Sequence, residues 1–484
     1  MGAGEKSACV LTRCEQIARR DLLEDEVVVV GGGLAGSECA LQLAMRGVRV
    51  KLYEMRPQKT SPAHHSDKLA ELVCSNSMKS LKETSCAGLL KTELHALHSR
   101  LLDIAYATRV EAGGALAVDR VRFSNEVTRA ITSHPLIELV HEEVSDIPQG
   151  HTVIAAGPLC SPALFSRLEE RVGARGLSFY DAAAPIVDAS TIDEDEVFLQ
   201  SRYEHDCSTD KSDSTGDYIN CPLTKDEYLA FYEALMSSER VISKDFERKE
   251  LFQACQPVEE IARTGVDSLR FGPMKPVGIT YPESYLLKHP ACAEQGYRRP
   301  YANVQLRSEN SFHTSYNLVG FQTNLTWPCQ RDVFRMIPGL AHAEFFRYGV
   351  MHRNSFVQSP QVLDDSFALP DTTIRLAGQI TGTEGYVEAI ASGLFAALNT
   401  WADLKGRARY VLPKTLAMGA LFAYATSPYT KDYQPMHVNF GIMPPLSEHI
   451  RQKEERQKRF CARARADLSS YMDLHPEILD SLCI

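Results

Sequence analysis

The sequence predicts an α/β fold, a doubly wound parallel sheet interrupted by an inserted α/β unit, and three observations predict it. An apolar, β-branched run, Val27–Val30, passes directly into Gly31-Gly-Gly33-Leu-Ala-Gly36. A strand that turns into a helix through Gly-x-Gly-x-x-Gly is the fingerprint of a Rossmann-like dinucleotide site. The same style returns late in the chain, where Ile374-Arg-Leu-Ala-Gly378-Gln-Ile-Thr-Gly382 is a strand running into a glycine-rich loop, followed by an alanine-rich helical stretch over Val387–Thr400. Between the two, from about Phe198 to Trp327, the character changes to tyrosine, proline, charge and short strands. That block reads as an insertion.

Taken in order, residues 1–23 are a polar extension, and the first part of the main unit spans 24–197. Within it Gly31 permits the tight turn, Gly33 lets a pyrophosphate approach the backbone, and Gly36 lets helix and strand pack closely. The helix is expected over Ser37–Met45, with its free N–H groups aimed at the phosphates. Gly31, Gly33, Leu34, Ala35 and Gly36 are therefore the expected cofactor-binding residues of this turn. A second strand, Val48–Tyr53, ends at Glu54, eighteen residues past Gly36, where a carboxylate is placed to accept ribose hydroxyls. Leucines 89, 90, 94, 97 and 101 give a helical period over Ser85–Ala107. Thr152-Val-Ile-Ala-Ala-Gly157-Pro158 is a short apolar strand with a glycine turn. It either returns to the cofactor, with Gly157 beside the pyrophosphate, or is an ordinary sheet strand.

The inserted unit is expected over 198–335, with Asp206–Asp217 as a polar surface loop. The second part of the main unit spans 336–445, where Gly378, Gln379 and Gly382 are expected to face the cofactor and a late helix N-terminus points at it. Residues 446–484 form a basic helical tail. The charges from Arg451 to Arg465 read either as a solvated helix with Glu–Lys/Arg pairing, the favoured reading, or as a local basic face.

A chain of 484 residues has room for two or three domains with large cores. No run of about eighteen apolar residues is present, so no transmembrane helix is expected. The first 26 residues carry charges throughout and no signal-peptide core, and Lys6 stands where a myristoylation site needs Ser or Thr. The expected compartment is the cytoplasm. Thirteen cysteines, none in Cys-x-x-Cys, form neither a disulfide framework nor a zinc ribbon. The net charge of −10 argues against a bulk electrostatic nucleic-acid binder but leaves room for a local basic face. Two glycine-rich cofactor signals without a second Gly-x-Gly-x-x-Gly favour one tightly held FAD over an exchanging NAD.

Just past Glu54, Pro62–Ser77 is a polar, cysteine-centred loop expected to lie over the flavin. His64, His65, Asp67 and Glu71 read as loop anchors and no metal is expected, because adjacent histidines point different ways in most backbones. Cys74 sits among Ser75, Asn76 and nearby Lys68, and Cys255 among glutamine, glutamate and a proline turn. Neither lies in an apolar run, unlike Cys39. A thiolate nucleophile needs such polar, accessible surroundings, although a single cysteine is more often structural.

At this point a resemblance enters. Val30–Glu38, Leu52-Tyr-Glu-Met-Arg-Pro57, Pro62–Ser77, Gly113–Arg120, Tyr180–Val187, Asn220-Cys-Pro222, Phe271-Gly-Pro-Met-Lys-Pro-Val-Gly278, Tyr316–Thr323, Arg335–Gly339, Tyr348–Asn354 and Ala377–Gly382 are all family-like. Together they resemble the folate- and FAD-dependent tRNA (uracil-5-)-methyltransferases over about residues 25–445. The N-terminal extension and the Asp206–Asp217 stretch depart from the pattern, and the tail after about 446 matches weakly.

The resemblance implies methylation of C5 of a T-loop uridine in tRNA. The carbon donor is 5,10-methylenetetrahydrofolate, reduced FAD carries methylene and hydride, and NADH or NADPH supplies electrons. Uracil C5 is a poor nucleophile until a thiolate adds at C6, and Cys255 occupies the family's nucleophile position. Cys74 occupies that of the second catalytic cysteine, as base at C5 or as guard of the flavin-bound carbon. Tyr386 is a third catalytic candidate, stacking near flavin or substrate, or else a core residue capping its helix. Arg307, His352, Arg353 and Asn354 are candidates to hold folate or the extruded base. RNA contacts are expected from lysines and arginines of the inserted unit and the rim of the flavin unit. The alternatives are the same chemistry on a ribosomal RNA uridine, a related wobble-uridine flavoprotein that needs a partner GTPase, a non-catalytic RNA-binding flavoprotein, and a simple FAD oxidoreductase. Only residues 446–484 follow the flavin unit, where the wobble-uridine enzymes carry a long helical domain. Retention of Cys74 and Cys255 speaks against the other two non-methylating readings.

Overall fold

A computed structural model describes residues 26–482 apart from 62, 174–176, 183, 203–215, 242–255, 295, 297, 350 and 431–432. Its main sheet has five parallel strands: β1 (Glu26–Val30), β2 (Arg49–Glu54), β3 (Ile137–His141), β4 (Thr152–Ile154) and β5 (Ile374–Leu376), in the order β5-β4-β1-β2-β3. A central parallel strand is covered on both faces, which is why β1 reads as four valines rather than as an alternation. The late strand β5 closes the sheet beside β4, so the two glycine-rich signals, more than 300 positions apart in the chain, become neighbours.

Helix α1 (Leu34–Met45) begins three residues earlier than its sequence suggests, because Leu34-Ala-Gly36 already forms its first turn. All twelve of its residues are buried. The segment 85–107 is two helices, α2 (Cys86–Ala96) and α3 (Arg100–Ala107), rather than one. His98 takes a φ of 55° between them and Ser99 caps the second. Both helices still bury the leucines that suggested the period. Glu38, inside α1, is tolerated because its carboxylate accepts from Arg100 N (3.1 Å) and Leu101 N (2.8 Å) at the start of α3. α4 (Arg120–Thr132) precedes β3, and α5 (Tyr386–Leu404) lies along α1. A Cβ on Gly393 of α5 would sit 2.1 Å from Ala35 O, so the two helices touch backbone to backbone there.

The second sheet is antiparallel. Its six strands run Phe198–Leu199, Tyr218–Leu223, Ala302–Ser308, Ser315–Leu318, Ile186–Asp188 and Phe345–Arg347 in spatial order. The first four lie inside the 198–335 span, and the last two flank it. Helices Lys225–Ser237 and Trp327–Phe334 cover it around a separate core that includes Phe231, Val304, Leu306, Phe321 and Phe334. The C-terminal helix Lys453–Leu474 buries Phe460, Cys461, Ala464, Leu468 and Tyr471 in the core of the main unit. Its outward charges are paired, as in Arg459–Glu455 (3.1 Å), Lys458–Glu454 (4.0 Å) and Arg465–Glu83 (2.9 Å). Among the described residues no helix is long and apolar enough to cross a membrane.

Candidate active site

A cleft of about 990 Å³, counting the part open to solvent, lies at the C-terminal ends of the parallel strands. Gly31, Gly33, Leu34, Ala35, Glu54, Gly157, Gly378 and Gln379 all line it. Two other expected residues do not. Gly36 lies behind the turn, where a Cβ would meet Gly31 O at 1.8 Å. Gly382, with φ of 78°, lies against Tyr433, whose hydroxyl would be 2.3 Å from an added Cβ. Both shape the loops instead of facing the cleft.

The floor of the cleft suits a pyrophosphate. Helix α1 starts from Gly33 with no side-chain cap and no acid in its first turn, so its first N–H groups and positive dipole end stay available to an anion. A Cβ placed on Gly33 would meet nothing within 4 Å, which leaves an approach to the backbone open. The start of α5 enters from the other side through Tyr386 and Ala389, again without a side-chain cap. These features fit FAD, whose pyrophosphate needs the first helix and whose flavin end needs the second.

Glu54 holds the glycine turn as well as facing the cleft. Its carboxylate accepts from Gly32 N (2.9 Å), Arg56 N (3.1 Å) and Arg56 Nε (2.9 Å). Burial by itself raises the Glu54 pKa, but hydrogen bonding and charge from Arg56 outweigh it and hold the group below its ordinary value. Both Arg56 donors reach Oε1 and Gly32 N reaches Oε2, so Glu54 keeps a lone pair on Oε2 for a ribose hydroxyl. Arg56 is only 1% exposed and also reaches Glu71 (3.2 Å) and Ser66 O (3.2 Å). Glu71 in turn accepts from His65 N, Ser66 N and Ser66 Oγ at 2.8–3.1 Å. Glu71 thus anchors the loop as expected, whereas His65 contributes its backbone N–H and exposed Asp67 pairs with neighbouring Lys68. His64 bonds Ser61 Oγ at 2.6 Å, and burial, with Arg56 beside it, lowers it to about 4.

The loop then delivers Cys74 to the edge of the cleft. The Tyr386 hydroxyl accepts from Cys74 N (2.8 Å) and Ser75 N (3.1 Å), joining the loop to the start of α5 across 312 positions of sequence. Tyr386 lines the cleft, and burial pushes its phenol up. Three arginines grip the same segment. Arg120 donates to Leu72 O (2.7 Å), Arg347 to Val73 O (2.6 Å), and Arg307 to Asn76 Oδ1 (2.8 Å). Glu309 pairs with Arg120. Burial pulls Arg307 and Arg347 below the ordinary arginine value, whereas at Arg120 burial is outweighed by Glu309 together with Tyr386 and Cys74, and the group is raised. Asn76 Nδ2 donates to Val118 O, on the short strand Ala115–Val118 packed in the main core, and to Ser308 O of the second sheet, so Asn76 ties the main unit to the second sheet.

Arg307 is thus buried beside the Cys74 loop. Asn354 is buried on the strand Met351–Phe356, which pairs with Leu177–Ala182. The side chains of His352 and Arg353, and Cys255 altogether, lie outside the described residues. Other thiols are set apart by burial, which pushes Cys39, Cys86 and Cys221 up. Cys160, on the cleft wall, is pushed up to about 12. Sequence reasoning did not single out Arg120, Glu309 or Arg347. Each is one more charged residue in a polar stretch, and no local signal marks it.

Comparison with known proteins decides the family. A family model described as "Glucose inhibited division protein A" matches residues 26–408. The methylenetetrahydrofolate--tRNA-(uracil-5-)-methyltransferase TrmFO of Streptococcus agalactiae serotype III is 49% identical over 448 residues, 92% of this chain and 98% of that protein. This chain belongs to that methyltransferase family. The enzyme of the same name from Streptococcus thermophilus is 48% identical over 93% of this chain and 98% of its own length. Among solved structures, Aquifex aeolicus GidA superposes with a TM-score of 0.63 at 16% identity, covering 93% of this chain and 73% of that one. That likeness carries the fold: a Rossmann-type FAD unit with an insertion.

Proposed function

We propose that this chain methylates C5 of a T-loop uridine in tRNA, using 5,10-methylenetetrahydrofolate as carbon donor, FAD as bound cofactor and NADH or NADPH as reductant. The observation that carries the reading is the junction of a dinucleotide cleft with a polar thiol loop, Cys74 being tied to the cleft wall by Tyr386. It occurs in a chain 49% identical, nearly end to end, to a methyltransferase named for this folate and this base. The same reading assigns it to the cytoplasm, where such a tRNA substrate is found.

When bound, FAD supplies a carrier for the one-carbon unit and for hydride. The protein's own groups do the rest. The N-terminus of α1 holds the pyrophosphate and Glu54 the ribose. Cys255, assigned through the resemblance, adds its thiolate to C6 of the uracil. The electron pair of the C5–C6 double bond moves into the enolate and makes C5 nucleophilic. Cys74 accepts the C5 proton after the carbon is attached, or shields that carbon from water. The thiolate of Cys255 then leaves as the double bond re-forms, and the hydride that reduced FAD would supply converts the attached methylene to methyl. Arg307, His352, Arg353 and Asn354 are assigned to folate and the extruded base.

The test uses FAD-loaded protein, methylene-labelled folate, NADPH and unmodified tRNA, with ribosomal RNA in a parallel reaction. Label is expected in 5-methyluridine of tRNA only. Absence of transfer with FAD intact overturns the reading. Cys255→Ala is expected to abolish the covalent enzyme–RNA adduct, and an adduct that persists refutes its assignment.

A further inference from the structure

The second sheet carries a groove whose lining includes none of the described residues assigned above. Lys225, at the start of its helix, lines it together with Arg270, Phe271, Lys275, Arg299 and Tyr301. Asp226 is the one carboxylate on its wall among the described residues. Arg270 is already committed, because it pairs with Asp267 (2.9 Å), donates to Tyr301 O (3.0 Å) and lies 3.6 Å over the Tyr301 ring. It builds the wall. Lys225, Lys275 and Arg299 form no ion pair among the described residues, in contrast to the charges of the C-terminal helix. Phe271, at the lip, is 83% exposed.

In a chain of net charge −10, three cations outside any described ion pair, set against one carboxylate and beside an exposed ring, reverse the sign of the surface locally. A phosphodiester backbone is recognised by cations spaced along a groove, and an unstacked base by an aromatic face. Phe271 closes the short helix Ser268–Phe271, sixteen positions past Cys255, and apart from the start of the Lys225–Ser237 helix the groove lining follows that cysteine in sequence.

We propose that this groove grips tRNA outside the reacting uridine. Lys225, Lys275 and Arg299 contact backbone phosphates, and Phe271 stacks on an unpaired base. This rests on the tRNA reading given above.

The test is fluorescence anisotropy of unmodified tRNA with the full, FAD-loaded chain over a salt series. Lys225→Gln/Lys275→Gln/Arg299→Gln is expected to reduce the slope of log affinity against log salt by about 2–3, at roughly 0.7–0.9 per lost phosphate contact. Phe271→Ala is expected to weaken binding about tenfold with the slope unchanged, since stacking releases no counterions. FAD content and urea midpoint of each variant report an intact fold. If the unaltered enzyme neither binds nor methylates tRNA, the functional reading fails and takes the groove with it. If it methylates tRNA while the triple variant keeps its affinity and its slope, the groove alone is overturned.

Discussion

Gly31→Ala and Gly33→Ala each add one methyl to the same turn, and the structure expects them to fail in opposite ways. Gly33 has φ of −75°, which any residue adopts, and its Cβ would meet nothing within 4 Å. The folding stability of FAD-free Gly33→Ala should therefore hold, or rise by about 0.4–1 kcal/mol as alanine narrows the unfolded ensemble. The methyl instead fills the approach to the backbone. Charge-assisted hydrogen bonds contribute about 1.5–3 kcal/mol each, so losing two costs about 3–6 kcal/mol of binding. That is roughly a 10²- to 10⁴-fold weaker FAD complex. Gly31 has φ of 105°, and its Cβ would lie 2.5 Å from Ala155 O, on the neighbouring backbone. A left-handed conformation costs about 1–2 kcal/mol and overpacking about 1–3 more, so Gly31→Ala should lose roughly 2–5 kcal/mol of folding stability. Urea denaturation of FAD-free protein and titration with FAD by flavin fluorescence separate the two. A Gly33→Ala protein that binds FAD as tightly as the parent refutes the placement of the phosphates. A Gly31→Ala protein of unchanged urea midpoint refutes the steric account of the turn.

Tyr386→Phe keeps the ring but removes the acceptor shared by Cys74 N and Ser75 N, a loss of about 1–3 kcal/mol from the ordering of the loop. Methyl transfer should fall about tenfold while alkylation of Cys74 speeds up, and two unchanged rates would count against the clamp. Arg56→Met leaves Glu54 and Glu71 without their shared buried cation and should cost about 3–5 kcal/mol, read as a lower urea midpoint at neutral pH. His64 supplies a pH dependence. Burial, with Arg56 beside it, lowers it from 6.5 to about 4, so between those values the unfolded chain binds a proton that the folded chain refuses. Stability should therefore rise with pH across that window, by at most about 1.4 kcal/mol per pH unit, and His64→Asn should flatten the rise. A slope identical in the variant would show that His64 is not its source.

The dinucleotide unit was legible because its determinants are local. The valine run, three glycines and Glu54 fall within 28 consecutive residues, and each answers to a backbone requirement that works at short range. Gly36 packs against the Gly31 carbonyl, as its place in the fingerprint implies, whereas Gly382 in the late loop lies against Tyr433, because a glycine required by a side chain looks the same in sequence as one required by a ligand. The helical period over 85–107 belongs to two helices divided at His98, because leucine periodicity continues through a break that one left-handed residue makes. The block after Phe198 announced a change of character. Which strands complete its sheet depended on pairings with Ile186–Asp188 and Phe345–Arg347, formed over long sequence distances.

By itself the sequence determined the parallel α/β unit, the glycine turn suited to a pyrophosphate, and the polar surroundings of Cys74. All of these follow from side-chain period, backbone freedom and composition, which neighbouring residues carry. Tertiary structure alone decided what holds Cys74. Tyr386, Arg120, Arg307 and Arg347 come from four distant segments to donate to or accept from residues 72–76. The physical reason is that a buried polar backbone must be satisfied, and the fold supplies whatever partners it brings within reach. That choice leaves no trace in any local stretch of the chain.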